Sequence, residues 1–416
     1  MKSRLAAIAL FPLLTALYAA EPPAPIDKLL GEAAANNSDI LAARHAWQAA
    51  EQLPSQAATP PDPEVTVQQF SVGSPRPFAG FTNSDMAYIG FGVSQDLPYP
   101  GKLKLRGEAA RTEASVTRQQ LETVRRAVFE QVKEAYYQIA YVQRTMSLLM
   151  RDEDLLGEIE KIVETRYSLG QGSQQDVLKA QLEKTRILRE MEHHNMIEGT
   201  EQARLRQLLN RPGGSPPIVT EPLAETTLTL TEDQLLDRIR QDNPEVTARR
   251  DMVNRQSLQV ELARKDRYPD FNIQYMWQST GPGYRDYYML TFGAKLPIYR
   301  KRKLDPEMSQ AVDELHQSKQ QYDSQVQATS FNVRSELISA QTTGRVLKIY
   351  SQGLMPQAMA AYRAGIAAYE TNREDFQTLL NSFRDVVNFD EEFWKLVADR
   401  ETSLARIEQW TGARIH

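Results

Sequence analysis

Val128-Phe129-Glu130-Gln131-Val132-Lys133-Glu134-Ala135-Tyr136-Tyr137-Gln138-Ile139-Ala140-Tyr141-Val142-Gln143-Arg144-Thr145-Met146-Ser147-Leu148-Leu149 is the middle of a stretch, Lys102 to Leu169, without a proline. Apolar residues recur in it at alternating steps of four and three: Val128, Val132, Ala135, Ile139, Val142, Met146 and Leu149. That rhythm draws one stripe along an α-helix and predicts coiled-coil packing. At 1.5 Å per residue, a helix over the whole stretch is a rod of roughly 100 Å. No compact domain has use for such a rod, so something must be spanned.

Working outward, the chain says nearly the same thing twice. Pro98 matches Pro297, Ser173 and Asp176 match Asn372 and Asp375, and Leu205 and Leu208 match Leu404 and Ile407, all 199 residues apart. Upstream, Leu29-Leu30 match Leu235-Leu236, Asn37 matches Asn243 and Pro63 matches Pro269, all 206 apart. The change of offset falls between Pro63 and Pro98, which predicts a surface loop, where insertions cost little. A tandem duplication makes a pseudo-symmetric element of the kind that lines rings and barrels.

Each copy reads helix, strand, loop, strand, very long helix, tight turn, helix. In the first, residues 21–211, Ile26 to about Gln56 has helical spacing and ends at Pro54 and Pro60-Pro61-Asp62-Pro63. Strands are expected at 65–73 and 86–97 around the Ser74–Asp85 loop, then the long helix 102–169 and a return helix 173–209. A linker at 212–230 (Pro212-Gly213-Gly214, then Pro216-Pro217) breaks the path at mid-height. The second copy, 231–416, repeats the plan. A helix runs from Thr231 to about Asp266, strands fill 271–278 and 287–296, a long helix 303–369 carries a kink at Pro356, and a return helix covers 372–412. Ser173 and Asn372 read as N-caps, with Asp176 and Asp375 three residues on.

Residues 1–20 read as a secretory signal: Lys2 and Arg4, the apolar run Leu5 to Leu17, then Ala19-Ala20. The plainer alternative is an uncleaved anchor. No later stretch has the roughly 18–20 apolar residues of a membrane helix. Cysteine is absent, so neither a disulfide nor a lipobox thiol is available. With 49 Lys+Arg against 54 Asp+Glu, well mixed, the net charge of −5 leaves no nucleic-acid footprint. No catalytic set, phosphate loop or metal-spaced cluster is evident, and no cofactor is implied. Met191, His193, His194 and Met196 are expected on an ordinary helix surface, because adjacent histidines point about 100° apart.

The strands alternate. Phe271-Asn272-Ile273-Gln274-Tyr275-Met276-Trp277-Gln278 puts large apolar groups on one face, as do Tyr288, Leu290, Phe292, Ala294 and Leu296, and Ile89, Phe91 and Val93. Runs of about ten residues with aromatics at their ends suit a membrane β-barrel. A half-buried soluble sheet gives the same alternation. The long helices favour the barrel. Four strands cannot close one, since about eight are the minimum. An open edge in hydrocarbon is forbidden. Strands in membrane therefore require an oligomer, and three copies would supply twelve.

With Gln95-Asp96-Leu97-Pro98-Tyr99-Pro100-Gly101-Lys102-Leu103, and with Tyr167-Ser168-Leu169-Gly170-Gln171-Gly172-Ser173-Gln174-Gln175-Asp176-Val177-Leu178-Lys179-Ala180-Gln181, the chain resembles the TolC-like outer-membrane factors. These are exit ducts of tripartite efflux pumps and type I secretion systems. The first stretch is most similar to members serving heavy-metal pumps of the resistance-nodulation-division type. The resemblance covers essentially the whole mature chain. It implies a mainly α fold with a small β part, and a homotrimer whose twelve-stranded outer-membrane barrel continues as a helical periplasmic tunnel. It further implies a periplasmic adaptor and an inner-membrane transporter as partners, and outer-membrane lipid as surroundings. It implies too that ionic and hydrogen-bonded links close the periplasmic tip, for which Arg373, Glu374, Asp375 and Asp176 are candidates. Gly170, Gln171, Gly172, Ser173, Tyr369 and Asn372 are candidates for meeting the adaptor. The second tip departs from the pattern: Tyr369-Glu370-Thr371-Asn372 lacks the Tyr-x-x-Gly of the first, and Tyr362-x-x-Gly365 lies two turns early. The competing class is a soluble coiled-coil protein of the periplasm. Nothing in the sequence identifies the cargo.

Overall fold

The structure, a computed structural model, describes residues 23–73, 76, 84, 86–281 and 283–415. The expected signal segment and most of the Ser74–Asp85 loop lie outside the described residues. In chain order the elements are α1 (Ile26–Asn36), α2 (Ser38–Ala50), α3 (Leu53–Ala58), β1 (Glu64–Phe70), β2 (Tyr88–Leu97), α4 (Lys102–Ser168) and α5 (Gln174–Leu208). The second copy follows as α6 (Glu232–Asp242), α7 (Pro244–Lys265), β3 (Asp270–Ser279), β4 (Tyr287–Lys295), α8 (Asp305–Ile349), α9 (Met355–Glu370) and α10 (Phe376–Thr411). Two compact units divide the chain, and neither is a repeat. One takes Ala34–Glu130, Thr226–Thr342 and Ser403 onward; the other takes the chain up to Ala33, Gln131–Glu225 and Thr343–Thr402.

In the first unit the strands form one antiparallel sheet in the order β1-β2-β3-β4. The register aligns the expected apolar face across it. Val65, Val93, Tyr275 and Leu290 make one row, and Val67, Phe91, Trp277 and Tyr288 the next. The opposite face carries Thr66, Gly92, Gln274 and Thr291. Residues 71–87 connect β1 to β2 and only 280–286 connect β3 to β4, so the first copy has the longer loop there. Below the sheet, Leu235, Ile239, Val246, Val333, Leu337, Ala340, Leu404 and Ile407 form a core between α6, α7, α8 and α10. Lys102 is buried where β2 leads into α4, and its Nζ lies 3.1 Å from Asp266 and 2.9 Å from Asp270. Asp270 also accepts the Tyr99 backbone N–H at 2.7 Å. One carboxylate thus joins the start of β3 to the turn after β2.

Several expectations need correction. The helices expected over 26–56 and 231–266 are each broken, at Asn37 and Asn243 in matching places. Asn37 Oδ1 caps α2 through the N–H groups of Asp39 and Ile40, and Asn243 Oδ1 caps α7 at Val246. A short polar side chain competes with the helix for backbone donors, and Pro244 cannot continue α6. The second long helix opens with a π turn at Arg300–Leu304 and is interrupted by another at Tyr350–Leu354, just before Pro356. The return helix α10 starts at Phe376 and not at 372. From Pro98 to the positive-φ Gly170 is 170 − 98 = 72 residues, and from Pro297 to the positive-φ Asn372 is 372 − 297 = 75. The offset therefore grows from 199 to 202 along the second descending helix. Each π turn closes its hydrogen bond one residue later than an α turn and so absorbs an extra residue, which accounts for two of the three.

In the second unit the α4 stripe is buried from Val132 to Val142 but slips at Met146. Thr145 takes its place, and the line continues through Leu149, Asp152, Leu156, Ile159, Val163 and Arg166. These pack with Ala180, Ile187, Tyr362, Tyr369, Phe376, Leu379 and Phe383 of the neighbouring helices. Glu183 on α5 is buried and receives Arg384 of α10 at 2.6 and 2.9 Å and Arg186 at 3.0 Å. Burial pushes its carboxyl up, but the Arg384 hydrogen bond and the two guanidinium charges outweigh this and hold it below the ordinary range. The linker at 212–230 is tied down at Ile218 by both ends of the Gln202 amide, at 2.7 and 2.9 Å. His194 is not on the surface: it is 3% exposed, 3.4 Å from Glu391 and edge-on to Tyr141. Among the described residues no group of three His, Cys, Asp or Glu is placed to hold a metal.

Two measurements test this packing. Asn243→Ala removes the α7 cap and the 2.8 Å bond from Nδ2 to the Trp410 carbonyl. Thermal melting followed by circular dichroism in detergent should show a loss of about 2 kcal/mol, and an unchanged midpoint would count against the cap. Glu183 has a depressed value in the folded chain, so its contribution is full above the reference carboxylate pKa of 4.5 and is lost as pH falls through the depressed value. Hydrogen exchange in α5 and α10 should quicken in that acid window. Glu183→Gln should already be weakened at neutral pH and lose less on acidification.

Candidate functional site at the hairpin tips

Both tips are built the same way. At the first, the Gln171 N–H reaches the Arg166 carbonyl at 2.8 Å and the Gly170 N–H the Tyr167 carbonyl at 3.0 Å, with Gly170 at φ 71°. At the second, Arg373 N–H reaches the Ala368 carbonyl at 2.8 Å and Asn372 N–H the Tyr369 carbonyl at 3.1 Å, with Asn372 at φ 57°. This paired pattern closes a helix through a left-handed residue, which glycine adopts freely and asparagine tolerates. Asn372 is therefore the counterpart of Gly170 and not, as expected, an N-cap. The second tip keeps the pattern of the first, and Tyr369 stands where Tyr167 does.

The next helix starts differ in chemistry. Ser173 caps α5 in a full capping box: its hydroxyl accepts the Asp176 N–H at 3.2 Å, and the Asp176 carboxylate accepts the Ser173 N–H. Asp375 caps α10, its Oδ1 accepting the Thr378 N–H at 2.8 Å and the Thr378 hydroxyl at 3.0 Å. Those bonds hold its carboxyl below the usual carboxylate value. Arg373 and Glu374 are exposed and make no ion pair among the described residues. Gln171 is exposed, and Gly172 is wedged so that a Cβ there would lie 3.2 Å from the Tyr167 nitrogen. Tyr362 and Gly365 belong to the hairpin core. Tyr362 is 4% exposed, its hydroxyl is pushed up to about 12 by burial, and a Cβ at Gly365 would touch Leu379.

Arg166, absent from the sequence-based candidates, joins the two tips. Its Nη2 donates to the Gln171 carbonyl at 3.2 Å and to Asn372 Oδ1 at 2.7 Å, and its guanidinium lies 4.3 Å from the Tyr369 ring centroid. The residue is only 8% exposed, yet Nε and Nη1 have no hydrogen-bond partner, and neither has the buried Tyr369 hydroxyl. Burial raises the Tyr369 phenol, reinforced by the Asp176 charge and opposed by Arg166. A cation buried with unmet donors is costly. The sequence signal was there: Arg166 occupies the core position after Val163, where a charge is out of place. The tips thus bring together Arg166, Gln171, Tyr369 and Asn372, with Asp176 in electrostatic reach. Arg373, Glu374 and Asp375 stay at the surface.

Residues 29–211 and 235–413 match the sequence profile described as outer membrane efflux protein. No sequence match is found among curated proteins. Among solved structures, the outer-membrane channel OprN superposes with a TM-score of 0.81 at 15% identity, over 94% of this chain and 90% of that one. The outer membrane protein VceC of Vibrio cholerae gives 0.78 at 16% identity, over 94% and 97%. The open state of the Neisseria gonorrhoeae MtrE outer membrane channel gives 0.77 at 15%, over 93% and 89%. The profile accounts for both copies of the duplication, and the chain belongs to the outer membrane efflux protein family.

Proposed function

We propose that three copies of this chain form a passive outer-membrane exit duct that takes substrate from an inner-membrane transporter through a periplasmic adaptor, with a tip that opens and closes. One observation carries the reading: among the described residues the apolar sheet face has no cover and both sheet edges are unpaired. Val65 is 71% exposed, Leu290 58%, Tyr288 66% and Phe292 72%. A face that size must meet hydrocarbon or another chain, and hydrocarbon demands that β1 and β4 find partners. Three copies of the four-stranded sheet close a twelve-stranded barrel, wide enough to leave an aqueous bore. On α8, Phe331 and Ile338 stand one heptad apart and are 70% and 63% exposed, a second stripe suited to the next copy's helices. The chain is then a conduit and not an enzyme, and a soluble periplasmic coiled coil would have no reason to expose such a face.

At the tip the reading divides the labour. Arg166 straps the two hairpins of one protomer. Arg373, Glu374 and Asp375 project where copies meet around an axis, and rings of like charges act on ions there. Gly170, Gln171, Gly172 and Ser173, with exposed Leu169, form the end that meets the adaptor.

The duct is tested by single-channel recording in planar bilayers. Arg373→Gln with Asp375→Asn removes the charges while asparagine keeps the cap. Conductance should rise, and an unchanged value would remove these residues from the gate. Arg166→Met should raise conductance too and free the tip by about 2 kcal/mol in hydrogen exchange at residues 167–173. A tip as protected as in the parent would show that the strap holds nothing. A cysteine introduced as Gln171→Cys should crosslink to the adaptor, whereas Ser257→Cys, on α7, should not.

A further inference from the structure

After β4 the chain runs Leu296-Pro297-Ile298-Tyr299 and then Arg300-Lys301-Arg302-Lys303. These four basic residues fill the π turn that leads into α8, and all four are exposed. None makes an ion pair among the described residues. Carboxylates around the junction are already engaged: Asp305 by Arg267 at 2.9 Å, and Asp266 and Asp270 by Lys102. Glu307 is the next acidic residue along the chain. Consecutive like charges repel, and these sit at the positive end of a 45-residue helix, where cations are disfavoured and anions attracted. Asp305 and Glu307 in the first turn of α8 are set against four basic residues, and Asp305 is already shared with Arg267.

The junction does not require it either. At the 199-residue offset the first copy has Gly101, Lys102, Leu103 and Lys104. Lys102 is buried in its ion pairs, and Lys104 lies 3.8 Å from Glu108. The free basic run is therefore peculiar to the second copy.

Its position points to the ligand. β2 and β4 end, and β1 and β3 begin, at the end of the sheet where the helices attach. Tyr99 and Tyr268 stack there at 4.6 Å, and Tyr268 and Tyr299 are 51% and 69% exposed. Leu296 and Ile298 are 65% and 70% exposed beside them. Aromatic girdles mark the boundary between hydrocarbon and water on membrane barrels. The basic run begins one residue past that girdle, at headgroup depth. We infer that Arg300–Lys303 binds the phosphate groups of anionic phospholipids in the leaflet on the helical side of the membrane. The inference rests on the duct reading. Contiguous exposed apolar residues favour a lipid over free phosphate, because only a lipid offers acyl chain and phosphate together.

The test uses the purified full-length protein in detergent, offered equal amounts of phosphatidylglycerol and phosphatidylcholine, with co-purifying lipid counted by mass spectrometry. The parent should enrich phosphatidylglycerol about tenfold, and the variant Arg300→Gln, Lys301→Gln, Arg302→Gln, Lys303→Gln should lose that preference. Excess inorganic phosphate should displace little of it. Full displacement by phosphate would overturn the lipid assignment in favour of a free-anion site. Equal enrichment in parent and variant would overturn the role of the run. The same two proteins are recorded in phosphatidylcholine bilayers. Normal conductance in both, with no lipid preference, overturns this inference alone, whereas absence of conductance in both overturns the duct and the inference with it.

Discussion

Two sheet edges that no described residue pairs with, one along β1 and one along β4, set the terms for the rest of this chain. Water would tolerate them, but the uncovered apolar face between them seeks a medium that does not. An N–H or carbonyl left bare in hydrocarbon costs several kcal/mol, so one protomer cannot be a finished object.

Burial is distributed accordingly. The helical cores are conventional, with Leu156, Ile159, Phe376 and Leu379 fully enclosed. Three charged residues are among the exceptions. Lys102 is locked between two aspartates where sheet meets helices, Glu183 receives two arginines between α5 and α10, and Arg166 closes the tips. A buried ion pair adds little net stability but penalises every alternative packing. Glu183 in this way ties α5 to α10 through Arg384.

Much of this was legible in the sequence, and what was missed has physical reasons. The strands were readable because a period of two separates Phe271, Ile273, Tyr275 and Trp277 from their neighbours whatever the surroundings. The long helix was readable because α4 holds no proline and its four-three rhythm only slips by one residue, at Thr145. The change of offset along the second descending helix was not, because one residue added in a π turn leaves the local apolar pattern nearly intact. Asn37 and Asn243 were seen as matching but not as breaks; at Asn37 only the cap ends a helix that propensity would continue, whereas at Asn243 the neighbouring Pro244 also marks the break. Arg166 was passed over and His194 was assigned to the surface for one reason: a charged or titratable side chain on a helix reads as surface unless its neighbours along the stripe are consulted.

Asn372 shows how far two copies of one sequence can drift while keeping one backbone. Its left-handed turn would suit glycine as well, but its carbonyl oxygen is what Arg166 holds. Gly170 has no such duty, and a side chain added there would meet nothing within 4 Å, although its φ of +71° favours residues that accept that conformation. The traffic between the tips is therefore one-way. Asparagine could move into the first tip at little expense, whereas glycine moved into the second would keep the bend and lose the clasp. A duplicated gene that has crossed such a point cannot be tidied back into symmetry, and the order of its two halves has become part of its meaning.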